Sequence, residues 1–188
     1  MTQSDDRDDQ QPADQSNGSN GRQSGDNPTE EWSVSETLSG KTLLITGTTG
    51  FLGKVYLSML LLFNPDIEQI YLLIRPRENQ TAEERFFDSI ATSGALEPIH
   101  EVYGDGYFEF LRDKVTPLPG DITSEHMGLE EDEARAISAN LDVFVNSAGL
   151  TNFNPNLQSA LEINALSQRK ILDFIRLGAC HASYMHVS

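Results

Sequence analysis

The segment that most restricts this chain is Thr46-Gly47-Thr48-Thr49-Gly50-Phe51-Leu52-Gly53. The apolar run Leu43-Leu44-Ile45 leads into it, and Val55-Tyr56-Leu57-Ser58-Met59-Leu60-Leu61-Leu62-Phe63 leads out. That order reads as buried strand, glycine turn and apolar helix. A helix N-terminus presents free backbone N–H groups and a partial positive charge. Glycines at the turn let a pyrophosphate approach those groups, because a Cβ would collide with it. Gly47 is expected to turn the chain out of the strand, Gly50 to admit the pyrophosphate, and Gly53 to let the helix pack on the sheet. Thr49, Phe51 and Leu52 complete the candidate cradle between them. The spacing is G-x-x-G-x-x-G, and no G-K-[ST] follows, so a Walker-type phosphate loop is not indicated.

Downstream the pattern alternates. Thr42 to Thr46 is a first strand, Phe51 to Phe63 a helix ended by Pro65, and Gln69 to Ile74 a second strand. A helix begins at Thr81, with Glu84 three residues on as a capping box, and continues to about Ser93. A looser stretch with Gly94, Pro98, Gly104 and Gly106 follows. Val115 to Leu118 is a short third strand, Glu130 to Ala139 an acidic helix, and Leu141 to Asn146 a fourth strand. Leu157 to Leu177 reads as one long helix stopped by Gly178, and Tyr184 to Ser188 begins a fifth strand. Apolar strands separated by helices imply a parallel sheet covered on both faces. Right-handed crossovers make it a Rossmann-like, doubly wound α/β fold, whose ligand crevice lies at the carboxyl ends of the strands.

The residues just after each strand are therefore the informative ones. Arg75-Pro76-Arg77 follows the second strand, with no acid until Glu78. A carboxylate there would bind a ribose 2′-OH; a guanidinium accepts a 2′-phosphate. NADPH is the expected cofactor and Arg75 the expected clamp, against the plainer reading of both arginines as surface charges. Asp121-Ile122 follows the third strand. The Asp121 carboxylate could accept from an adenine amino group with Ile122 against the ring, or serve only the turn. Asn146-Ser147-Ala148-Gly149 follows the fourth strand, where small residues such as Ser147 and Ala148 leave room for the nicotinamide ribose and the pyrophosphate. Asn164 sits inside the next helix, where Asn is unfavourable. It either holds the strand ends or orders a water, or simply faces solvent.

Composition sets further bounds. Residues 1–40 hold few aliphatic side chains and many Asp, Gln, Ser, Asn and Gly, so they are read as a disordered acidic tail. The tail lacks the layout of a secretory signal and is too acidic for an organellar transit peptide. Residues 41–188 form the expected NADP-binding domain. The net charge of −16 is divided between tail and domain, which argues against nucleic-acid binding over the bulk surface. The one cysteine, Cys180, excludes an internal disulfide, and the four histidines form no zinc spacing with it. No run approaches the roughly 20 apolar residues of a spanning helix. A cytoplasmic location is the expectation, with peripheral association at a membrane compatible with it.

Together these residues resemble the extended short-chain dehydrogenase/reductase superfamily, nearest to its alcohol-forming fatty acyl-CoA reductase branch. The carriers are the glycine turn, Ile70 to Pro76, Arg85-Phe86, Gly120-Asp121-Ile122, Asn146 to Phe153, Ile163-Asn164 and His186-Val187-Ser188. Gly149 stands where many relatives carry alanine. The resemblance implies NADPH-dependent reduction of a long-chain acyl-CoA thioester to an aldehyde, with a second reduction giving a fatty alcohol. It also implies a catalytic Ser or Thr and a Tyr-x-x-x-Lys pair. The hydroxyl residue would follow Ser188, and none of Tyr56, Tyr71, Tyr103, Tyr107 and Tyr184 has a lysine four positions on. The chain thus reads as the cofactor-binding N-terminal portion of such a reductase, truncated after its fifth strand and inactive alone, with no catalytic residue assigned. The alternatives are another extended short-chain reductase or epimerase, a carboxylic acid reductase-type domain, or an inactive dinucleotide-binding fragment.

Overall fold

The computed structural model describes residues 33–152, 154–178 and 182–187. Five parallel strands form one sheet in the order β3-β2-β1-β4-β5. They are β1 (Thr42–Thr46), β2 (Gln69–Ile74), β3 (Val115–Pro119), β4 (Val143–Asn146) and β5 (Ser183–His186). The order reverses between β1 and β4, which pair in register from Leu43↔Val143 to Thr46↔Asn146. In a sheet of this kind the crevice outside the strand ends at that reversal is where a ligand can enter.

The apolar runs are explained by two buried faces. Leu43 and Ile45 join Ile70, Leu72, Ile74 and Val145 in a core under helix α2 (Phe51–Phe63), which contributes Leu57 and Leu61. Leu44, between them, points the other way into a core with Leu73, Leu118, Phe144, Ile171 and Phe174. Leu43, Leu44 and Ile45 are all fully buried, so a strand alternating apolar and polar residues could not occupy this position.

Most elements match the sequence pattern, and the differences have local causes. A short helix, α1 (Val34–Leu38), lies within the stretch read as a disordered tail; Ser33 caps it by accepting from the Glu36 N–H. Residues 1–32 lie outside the described residues, as do Phe153, Cys180 and Ser188. Thr81 caps α3 (Ala82–Phe86) with the expected box: its hydroxyl accepts from Glu84 N at 3.1 Å, and the Glu84 carboxylate accepts from Thr81 N at 2.8 Å. The chain then continues as a π-helical turn, Phe87–Ala91. The supposedly loose stretch is mainly helical, with α4 (Glu97–Tyr103) and α5 (Tyr107–Lys114). Pro98 misleads because it opens α4, where its missing N–H costs nothing. Gly104, at φ +50°, separates the two helices. Ile99, Tyr107 and Leu111 anchor them in the core, and the buried Tyr107 hydroxyl donates to Ala91 O at 2.6 Å. Burial, then the nearby Glu97 charge, pushes the Tyr107 pKa up to about 12.

After α6 (Glu131–Ala139), the expected long helix is broken into α7 (Leu157–Leu161), a π-helical turn Glu162–Leu166, and α8 (Ser167–Leu177). At the sheet's other rim, β3 carries Pro117 and Pro119, paired with Leu72 and Ile74 of β2. Gly120 N donates inward to Ile74 O at 3.2 Å, so by strand alternation both prolines face the outer edge.

Phe144 is fully buried, edge-on to Phe174 with ring centroids 6.1 Å apart. Phe144→Ala is expected to lower unfolding free energy by about 3–5 kcal/mol. Urea denaturation followed by circular dichroism measures this.

Candidate functional site

Gly47 leaves β1 with φ +80°, a conformation that favours glycine. A Cβ there would also stand 2.5 Å from the carbonyl of Ser147. The turn is thus pressed against the backbone leaving β4. Gly53 is closed in a different way from that expected. Its added Cβ would lie 2.4 Å from Gly47 O and 2.6 Å from Thr48 Cα, so Gly53 packs the helix on its own turn rather than on the sheet. Gly50 is the open glycine: a Cβ would meet only Gly47 O, at 3.3 Å.

Gly50 is also the N-cap of α2 and supplies no side-chain cap. Its own N–H bonds Gly47 O at 3.0 Å, and the Lys54 N–H returns to Gly50 O at 3.2 Å. Among the described residues the N–H groups of Phe51, Leu52 and Gly53 have no backbone or side-chain acceptor. No acidic residue occupies this first turn, so the positive end of the helix dipole is uncompensated.

The exit of β4 is stitched to that of β1. Thr46 Oγ1 donates to Asn146 Oδ1 at 2.6 Å, and both residues are buried. Ala148 N donates to the same oxygen at 3.2 Å, while Ser147 Oγ donates to Thr46 O at 2.7 Å. With its oxygen doubly engaged, Asn146 turns Nδ2 toward Gln168 Oε1 at 3.1 Å and His186 Nδ1 at 3.3 Å. Asn164 has a defined task in its π turn. Its Oδ1 accepts from Leu150 N at 2.7 Å, and its Nδ2 donates to Leu150 O at 3.2 Å, fixing the loop after β4. At Gly149 a Cβ would sit 3.5 Å from Asn164 Oδ1, an ordinary contact, so alanine would fit there.

Beyond β2 stand three arginines. Arg75, Arg77 and Arg85 line one hollow of about 350 Å³ together with Gly47, Thr49, Asp121 and Ile122. The expected clamp, Arg75, is engaged with the expected adenine acceptor: Nε lies 2.8 Å from Asp121 Oδ2, and Nη2 lies 3.1 Å from Oδ1. Asp121 Oδ1 also accepts from Thr123 N at 2.9 Å and Thr123 Oγ1 at 2.8 Å. Burial pushes the Asp121 pKa up, but the Thr123 bonds and the Arg75 charge together outweigh it and hold it below the ordinary value.

Arg85 is the residue that sequence reasoning missed. It is 7% exposed, and no carboxylate pairs with it among the described residues. One terminal nitrogen donates to Arg75 O, while the buried Nε has no partner. Burial first, then Arg77 and Arg75, draws its pKa below the usual guanidinium range. A signal was present: Arg85 and Phe86 fall three and four residues after Ala82, on the face that α3 buries.

A second hollow of about 910 Å³ holds Gly50, Phe51, Leu52, Gly53, Ser147, Asn164 and His186. It shares Gly47, Thr49, Ala148, Gly149 and Leu150 with the first. Every expected site residue lines one of these two adjoining hollows at the strand reversal. A reversed parallel sheet, a glycine turn and a bare helix N-terminus define a Rossmann-like nucleotide-binding domain.

The comparisons agree with that class. The family model described as male sterility protein, of NAD-binding type, matches residues 45–188. The chain belongs to this family. It is 36% identical over 139 residues to fatty acyl-CoA reductase 2, chloroplastic, of Arabidopsis thaliana, covering 74% of this chain and 23% of that protein. It is 31% identical over 160 residues to the alcohol-forming fatty acyl-CoA reductase of Simmondsia chinensis, covering 85% of this chain and 32% of that protein. The chain therefore spans about a quarter to a third of the length of these relatives. Among solved structures, the terminal R domain from the myxalamid PKS-NRPS biosynthetic pathway is similar. The TM-score is 0.63 at 28% identity, over 80% of this chain and 34% of that one. Among the described residues no helix is long and apolar enough to cross a membrane.

The Asp121 environment has a pH consequence. Its folded pKa is depressed, so its stabilisation is present above the unfolded value of about 3.9 and is lost as pH falls toward the folded value. Asp121→Asn is expected to flatten the acid side of the melting-temperature profile below about pH 4 and leave its slope near neutrality unchanged. Thermal denaturation across pH 2.5–7 measures it.

Proposed function

We propose that this chain is the cofactor-binding portion of an NADPH-dependent reductase acting on long-chain fatty acyl-CoA. The observation that carries the reading is a cation-lined hollow adjoining a helix N-terminus with unused N–H groups. A dinucleotide phosphate has anions at both places. The pyrophosphate would rest on the N–H groups of Phe51, Leu52 and Gly53, over the open face of Gly50. The 2′-phosphate, with about two negative charges, would meet Arg75 and Arg85. Arg85 favours this placement, since its guanidinium lines the hollow and has no carboxylate partner among the described residues. Asp121 and Ile122 would border the adenine. Ser147, Ala148 and the loop braced by Asn164 would border the nicotinamide ribose.

Bound there, the cofactor supplies a hydride, and the task of this chain is to hold and orient it. The fatty acyl-CoA substrate, and an aldehyde or alcohol product, come from the likeness to the fatty acyl-CoA reductases. The proton-donating Tyr-x-x-x-Lys pair does not occur among these 188 residues.

Two outcomes test the reading. Gly50→Val is expected to abolish NADPH binding in calorimetry, with melting curves recorded beside it because the new Cβ stands 3.3 Å from Gly47 O. Retained binding would remove Gly50 from the cradle. The chain alone is expected to bind NADPH yet oxidise none detectably with palmitoyl-CoA. Sustained loss of absorbance at the NADPH band would show that a proton donor exists within it.

A further inference from the structure

We propose that Asp121 sets the site's selectivity for a 2′-phosphate by fixing Arg75 in the geometry that receives it. The proposal rests on the reading of the hollow as an NADPH cradle. On charge alone Asp121 is a defect, since a carboxylate lining an anion site repels the anion. The hydrogen bonds indicate the opposite role.

Asp121 grips the guanidinium from the side, through Nε at 2.8 Å and Nη2 at 3.1 Å. That uses two of the five N–H donors. The three that remain belong to the end of the fork, Nη1 and the second Nη2 hydrogen, which is the edge that matches a phosphate in a bidentate pair. The grip itself is rigid. Asp121 N donates to Met127 O at 2.8 Å, and its Oδ1 takes both donors of Thr123. Lys170 in turn holds Thr123 O. The backbone of Arg75 is fixed from the other direction by Arg85 on its carbonyl. The Arg75 side chain is 58% exposed, so without Asp121 it would regain rotamer freedom that a phosphate would have to remove on binding.

The carboxylate also has unused capacity on the adenine side. Oδ1 is saturated by three donors, whereas Oδ2 accepts, among the described residues, only from Arg75 Nε. A base amino group could therefore bond Oδ2 without releasing the arginine. One carboxylate would then tie the recognition of the base to that of the 2′-phosphate.

The test is calorimetric titration of the whole chain with NADPH, NADH, adenosine 2′,5′-bisphosphate and 5′-AMP, in wild type, Asp121→Asn, Arg75→Lys and the double variant. Asn keeps an oxygen for Thr123 N, so the turn survives, and melting curves verify this. Asp121→Asn is expected to weaken all four ligands through the lost adenine contact, and to weaken NADPH and the bisphosphate at least about tenfold more than NADH and 5′-AMP. Arg75→Lys is expected to act in the same direction, and the double variant to lose little more than either alone. Tighter NADPH binding by Asp121→Asn, equal losses for both cofactors, or additive losses in the double variant would overturn the proposal. Should Asp121→Asn fail to fold, Arg75→Lys decides the matter, and an unchanged NADPH to NADH ratio overturns it. Wild-type protein that binds neither cofactor overturns the cradle reading itself, whereas binding with unselective Asp121→Asn losses sinks only the role of Asp121.

Discussion

The structure depends on a contact between two pieces of backbone. Where β1 and β4 part, the Gly47 turn lies so close to the Ser147 carbonyl that no Cβ fits between them. The Thr46–Asn146 bond, buried just beneath, keeps the two strand ends level. Everything at the site inherits its position from this junction. The axis of α2 is set by the turn, and the floor of the second hollow is set by the β4 exit. The Asn164 brace then fixes the loop above it. Main-chain groups held this way give a cradle that loses little freedom on meeting a ligand.

The charged side of the site follows a different logic. Its parts are long side chains, and their order comes from mutual hydrogen bonds. Arg85 is the costly member, buried and short of an anion, and its neighbours Arg75 and Arg77 add repulsion. Asp121 pairs with Arg75 and, among the described residues, with neither of the other two arginines.

Much of this was legible in the sequence. The strand, glycine turn and helix from Thr42 to Phe63 follow from apolar runs and glycine spacing, because burial on both faces leaves no room for another pattern. The strand-end residues followed from topology alone. What escaped was long-range or conformational. That Arg75 and Asp121 face each other depends on β2 and β3 lying side by side. The partition of the glycines, with Gly50 open and Gly53 jammed against Gly47 O, depends on distances that spacing does not carry. The break in the helix from Leu157 to Leu177 was missed because Asn164 lowers helix propensity only slightly, whereas its bonds to Leu150 belong to tertiary structure. Arg85 escaped because an amphipathic stripe is ordinarily read by its apolar members.

The two prolines of β3 have a consequence for self-association. Lacking amide hydrogens where they face outward, they leave that rim a poor template for a further strand. Any further strand of this sheet is therefore laid down beyond β5 rather than beside β3.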